Sequence, residues 1–121
     1  MQMPDVQALN SEQFCHLTTT GRVSGQPREI EIWFGVRGQT LYMLSGGRDQ
    51  SNWVKNIKKD PSVSVRIGRR TFMGSGRIVT DRKEDQVARK LLLAKYASSS
   101  DDLSEWGRTA LPVAVDLETG P

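Results

Sequence analysis

Two short segments of this chain carry the residue types needed to hold an anion and a flat ring. The first is Thr20-Gly21-Arg22-Val23-Ser24-Gly25-Gln26-Pro27-Arg28. Its glycines leave backbone N–H groups uncovered, the hydroxyls of Thr20 and Ser24 can donate, and Arg22 and Arg28 supply charge, a combination suited to phosphate or carboxylate. The same residues also suit a plain hairpin turn with exposed arginines, because Gly and Pro favour turns whatever the function. The second segment is Leu44-Ser45-Gly46-Gly47-Arg48, followed by Trp53 and Asn56. Glycines at a strand end let a planar group approach the backbone, and a helix start favours negative charge. Trp53 offers an apolar wall there, or is a core tryptophan behind a loop.

Other chemistries are missing. The chain has no Gly-x-x-x-x-Gly-Lys phosphate loop, no Gly-x-Gly-x-x-Gly, no His-Glu-x-x-His and no Cys-x-x-Cys. The single histidine, His16, adjoins the single cysteine, Cys15. Neighbours on a strand point to opposite faces, so the two make a poor nucleophile–base pair, and His16 reads as a structural strand residue. No metal site and no intrachain disulfide are expected, and no residue is assigned as the catalyst. What is left is chemistry that a cofactor brings, with the protein supplying position and electrostatics.

Charge is uneven. From Arg22 to Arg77 there are eleven Lys/Arg against four Asp/Glu, while the whole chain has a net charge of only +3. Such a segment is either a solvated basic face or an attractor of anionic ligands. Nucleic acid is not expected as a partner, because no recognition motif accompanies the charge. The N-terminal residues lack a basic region followed by an apolar one, and no apolar run is long enough to span a bilayer. A cytoplasmic protein without stable membrane insertion is expected.

The elements that must position these residues follow from periodicity. A lead-in over residues 1–12 precedes a strand from Phe14 to Thr20. Arg28 to Val36 alternates as one strand, with Ile30, Ile32, Phe34 and Val36 on one face and Glu29, Glu31 and Trp33 on the other. Arg37-Gly38-Gln39 turns the chain into a strand from Thr40 to Ser45, giving a three-strand meander. A helix from Gln50 to Lys58 ends at Asp60-Pro61. Strands follow at Ser62–Ile67 and Arg70–Val79. Asp81 with Glu84 opens a helix to about Tyr96 that buries Val87, Leu91 and Ala94. A loop at Ser98–Asp101, a helical turn at Leu103–Arg108 and a sixth strand at Leu111–Leu117 complete the chain. With 121 residues and one core, the expected architecture is a single domain, 1–121. It is mainly β with flanking helices, a six-stranded antiparallel split barrel.

The quoted residues match a known pattern. Leu17-Thr18-Thr19-Thr20-Gly21-Arg22 and Ser24-Gly25-Gln26-Pro27-Arg28, then Trp33-Phe34, Leu41-Tyr42, Ser45-Gly46-Gly47, Trp53-x-x-Asn56 and Asp60-Pro61-Ser62-Val63-Ser64-Val65, resemble the deazaflavin (F420)-dependent nitroreductase family. That family has the FMN-binding type of split barrel, related to pyridoxamine phosphate oxidases. The resemblance implies hydride transfer from reduced F420 to a small quinone, nitro compound or other conjugated electrophile, in a homodimer. It implies a cofactor-contacting set of Thr20, Arg22, Ser24, Gly25, Arg28, Leu44, Ser45, Gly46, Gly47, Arg48, Trp53 and Asn56. Tyr96 and Trp106 are the candidates for an aromatic substrate wall, or are packing residues. Val23 stands where the family often carries lysine, and the second loop is short, so FMN remains the alternative cofactor. A non-catalytic cofactor- or lipid-binding module is the alternative function.

Overall fold

The computed structural model describes residues 6–97 and 103–118. After a 3₁₀ segment at Val6–Ser11 come β1 (Cys15–Thr20), β2 (Pro27–Ile32), β3 (Gly35–Arg37), β4 (Thr40–Ser45), α1 (Asn52–Lys59), β5 (Ser62–Ile67), β6 (Arg70–Ile78), α2 (Arg82–Lys95), α3 (Ser104–Thr109) and β7 (Leu111–Leu117). The expected loop at Ser98–Asp101 lies outside the described residues.

All strands join one antiparallel sheet of order β2-β1-β5-β6-β7-β4-β3. Its two outermost strands are consecutive in the chain. Only Trp33 and Phe34 separate Ile32 from Gly35, a link that spans at most about 11 Å. The sheet therefore curls until its edges approach each other at that corner, as a split barrel requires.

The expected single strand from Arg28 to Val36 is thus two strands, giving seven among the described residues rather than six, and the three-strand meander does not form. β2 pairs with β1, from Cys15 opposite Ile32 to Thr20 opposite Pro27. β3 pairs with β4, from Gly35 opposite Tyr42 to Arg37 opposite Thr40. The alternation of Ile30, Ile32, Phe34 and Val36 is read correctly, but periodicity cannot report a corner that hands the chain from one edge to the other.

α2 holds this corner through the backbone of Phe34. The Phe34 N–H donates to the Tyr96 hydroxyl at 3.0 Å. That hydroxyl's own proton lies between the Gln13 carbonyl at 2.7 Å and the Phe34 carbonyl at 3.1 Å. Lys95 Nζ donates to the Phe34 carbonyl at 2.8 Å and sits 3.5 Å from the centre of its ring. Burial pushes the Tyr96 phenol up to about 12 and the Lys95 amine down to about 8. At Gly35 a Cβ would lie 2.8 Å from Leu91 Cγ, so only glycine lets α2 press this close to β3.

The inner core gathers alternate residues of the curled sheet, among them Cys15, Leu17, Met43, Val65 and Val115, with Val54 and Ile57 of α1 plugging one end. A second cluster lies outside β4 and β7, where Tyr42, Leu44 and Ala114 meet Ala88, Leu92 and Tyr96 of α2. β4 is consequently buried on both faces and reads as a continuous apolar run. On α2 the buried stripe is Ala88, Leu92 and Tyr96, not Val87, Leu91 and Ala94. Val87 and Leu91 flank it half-buried and Ala94 faces solvent, a shift of one residue that follows from α2 lying across the Phe34 corner. Asp81 caps α2 as expected, its carboxylate accepting from the Glu84 N–H at 2.9 Å.

Candidate functional site

The loop joining β1 to β2 is closed on itself. The Gly21 N–H donates to the Gln26 carbonyl and the Gly25 N–H to the Gly21 carbonyl, both at 2.8 Å. Gly25 holds φ +73°, and a Cβ on Gly21 would lie 2.8 Å from Ser24 Oγ. Glycine is therefore needed twice, once for the left-handed turn and once for the close approach. Ser24 Oγ accepts from the Gln26 N–H at 3.1 Å and from Arg28 Nη2 at 3.2 Å. The glycine amides are thus engaged inside the loop, and what it presents outward is guanidinium.

α1 braces this loop. Asn56 is buried, and its Oδ1 accepts from the Arg22 N–H at 3.1 Å and from Arg22 Nη1 at 3.0 Å. Its Nδ2 donates to the hydroxyl of Thr19 at 3.1 Å. Arg22 Nη2 reaches Asn52 Oδ1 at 3.2 Å. Thr19 and Asn52 were not singled out in the sequence. Asn52 lies one turn before Asn56 on the same helix face, and Thr19 continues the inward alternation of Cys15 and Leu17; those spacings are the signal that would have found them.

Loop and helix enclose a groove of ≈ 690 Å³ walled by Arg22, Ser24, Arg28, Trp53 and Asn56, together with Glu29 and Ile30 of β2. Arg28 is exposed, with its guanidinium anchored at Ser24. Trp53 is half-buried, backed onto the core and presented to the groove. Thr20 and Gly25 line a neighbouring hollow of ≈ 430 Å³ behind the loop, with Lys59 and Asp60.

The second glycine segment stands apart from this groove. Ser45 is buried, its Oγ donating to the Arg48 carbonyl and meeting Ser51 Oγ, both at 2.8 Å. Gly47 backs onto Ser51, while a Cβ on Gly46 would come no closer than 3.9 Å to Trp106. Arg48 adopts φ +54° and turns Nη1 to the Thr109 carbonyl. Leu44 reaches a different cavity, an open aromatic hollow of ≈ 420 Å³ formed with Phe14, Glu31, Ile32, Trp33, Leu103 and Trp106. The sequence-based set is therefore divided: the first loop and α1 build the groove, Leu44 the hollow, and Ser45 to Arg48 tie β4 to the helices beside them.

Groove and hollow are successive stations on β2, since Glu29 and Ile30 line the first and Glu31 and Ile32 the second. In the hollow, Trp33 stacks on Tyr96 at 4.1 Å between ring centres and 7° between planes, and meets Trp106 edge-on at 5.7 Å and 88°. Tyr96 is thus a packing residue whose hydroxyl is consumed at Phe34, whereas Trp106 contributes wall. Cys15 is buried, its thiol pushed up to about 12 by that burial, so it supplies no thiolate nucleophile at neutral pH. Among the described residues no group of His, Cys, Asp and Glu could hold a metal ion. The arrangement can bind an elongated molecule with an anionic part and a flat apolar part. Neither cavity contains an evident nucleophile–base pair.

Solved structures share the architecture. A structure described as an F420-H2-dependent reductase is 24% identical, over 88% of this chain and 94% of its own, with TM-score 0.68. A protein assigned as a pyridoxamine 5′-phosphate oxidase, from Listeria innocua, is 18% identical, over 93% and 90%, with TM-score 0.69. A third, described as a domain-swapped dimer, is 25% identical, over 88% and 80%, with TM-score 0.68. These likenesses agree on the split-barrel fold. A model of the F420H(2)-dependent quinone reductase family matches residues 2–118. The groove presents guanidinium groups of the sign an anionic cofactor needs, and the hollow presents the apolar and aromatic walls that suit a planar ring. The chain belongs to the F420H(2)-dependent quinone reductase family, an oxidoreductase family whose cofactor is F420.

Proposed function

We propose that this protein reduces a small quinone or related conjugated electrophile, with F420 lying along β2, its acidic tail in the groove and its ring toward the aromatic hollow. The observation that carries this reading is the anchored, exposed guanidinium of Arg28 in a ≈ 690 Å³ groove that continues along one strand to an aromatic cavity. Arg28 and Arg22 neutralise the tail. Trp53 covers one side of the groove, and Trp33, Trp106 and Leu44 exclude water from the electrophile. Bound in its reduced form, F420 supplies a hydride, two electrons and one proton. Solvent supplies the second proton that completes a hydroquinone.

The test is direct. Reduced F420 and 1,4-naphthoquinone are mixed with the protein, and cofactor oxidation is followed. Turnover is expected; binding of F420 without turnover across a panel of quinones and nitroaromatics would make the protein a carrier. FMN in place of F420 is expected to support neither binding of comparable strength nor turnover.

The domain-swapped relative favours a homodimer for this chain as well, with sedimentation as the check. The protein is read as a single-domain cytoplasmic enzyme; no described helix is long and apolar enough to cross a membrane.

A further inference from the structure

Among the described residues, Glu31 is the one charged side chain on the wall of the aromatic hollow; the other six are apolar or aromatic. Its side chain is 56% exposed and projects beside His16, whose Nε2 lies 3.4 Å from one carboxylate oxygen. The cations that favour anions line the groove instead, at Arg22 and Arg28. The site is therefore dipolar along β2, positive where a tail would lie and negative where an electrophile would enter. A carboxylate at the mouth of an apolar cavity repels an anion more strongly than it would in open water, because low-dielectric walls concentrate its field.

We propose that Glu31 sets the charge selectivity of the hollow, admitting neutral and cationic planar electrophiles and rejecting anionic ones. This rests on the reading of the hollow as the electrophile's place. The substrate class that follows is an uncharged or positively charged quinone or nitroaromatic, without carboxylate, sulfonate or phosphate on its ring.

The experiment needs no cofactor. Trp33 and Trp106 form part of the hollow, so quinone binding is read by quenching of tryptophan fluorescence. Dissociation constants are measured for neutral 1,4-naphthoquinone and anionic 1,4-naphthoquinone-2-sulfonate, and the readout is the change in their ratio from wild type to variant, which cancels intrinsic differences between the two probes. In Glu31→Gln the preference for the neutral probe is expected to shrink by roughly three- to tenfold, and in Glu31→Lys to reverse. Glu29→Gln, the same charge change in the groove, is expected to move the ratio less. Trp106→Phe should reduce the quenching amplitude. An unchanged ratio in both Glu31 variants, with quenching intact, would overturn the proposal while leaving the hollow as the electrophile site. Equal shifts from Glu29→Gln and Glu31→Gln would overturn its local character. Absence of quenching by either probe would remove the hollow from the substrate path, and the proposal with it.

Discussion

Arg22 and Arg28 carry the same charge on the same loop, yet the structure gives them different work. Arg22 is bound by Asn52 and Asn56 and fixes the loop to α1, whereas Arg28 is steadied by Ser24 alone among the described residues and keeps donors for a ligand. Asn56 is the joint of this arrangement. Its loss leaves the buried Thr19 hydroxyl and the Arg22 N–H without their partner. Asn56→Ala is expected to lower stability by about 2 kcal/mol in chemical denaturation, and to weaken F420 binding as the loop loosens. Tyr96→Phe preserves the stack on Trp33 but deletes the hydroxyl that serves Phe34 and Gln13. A loss of about 1–3 kcal/mol is expected, together with a change in the near-ultraviolet circular dichroism of Trp33. Much of the residue-level site was legible: Arg22, Ser24, Arg28, Trp53 and Asn56 do converge. Glu31 and Trp33 are legible in the sequence as sharing one strand face, but not as the wall of a separate cavity, because the corner that makes that wall leaves no periodic trace.

At the scale of elements, α2 is fastened to the barrel at both ends. At its C-terminal end Lys95 and Tyr96 hold the Phe34 corner. At its N-terminal end Glu84 receives Arg77 of β6 through two bonds, at 2.7 and 2.8 Å, and the Tyr42 hydroxyl of β4 at 2.7 Å. Arg77 also reaches Asp116 of β7 at 2.7 Å. Hydrogen bonding from Arg77 holds the Glu84 carboxyl down from 4.5 to about 2. Because the folded state favours the ionised form, this contribution is fully present above the ordinary carboxylate value and is lost as pH falls between 4.5 and about 2. Arg77→Met is expected to flatten the acid side of a stability–pH profile over that window, with little change in its slope near neutral pH. An unaltered acid limb would show that the clamp contributes nothing. Strands β5 and β7 and the Asp81 cap were readable because alternation and capping are local signals. The division of Arg28–Val36 and the one-residue rotation of α2 were not, because both are set by a contact 62 residues apart in the chain.

Over the whole molecule, the surplus of eleven basic over four acidic residues between Arg22 and Arg77 spans the groove and the α1 lysines. A field of this sign draws in an anionic cofactor and is screened by salt. F420 affinity is accordingly expected to fall as ionic strength rises, while affinity of the hollow for a neutral quinone stays nearly constant. On the proposed reading, the split barrel separates two recognition tasks along β2, charge at one end and apolar shape at the other. The measurement that tests this account most directly is a titration of the protein with F420, repeated on Arg28→Ala. The account predicts that the wild type binds and that the variant binds roughly 10- to 100-fold more weakly, the loss of one charge-assisted contact. Equal affinity in the two proteins would contradict it and move the cofactor's acidic tail out of this groove.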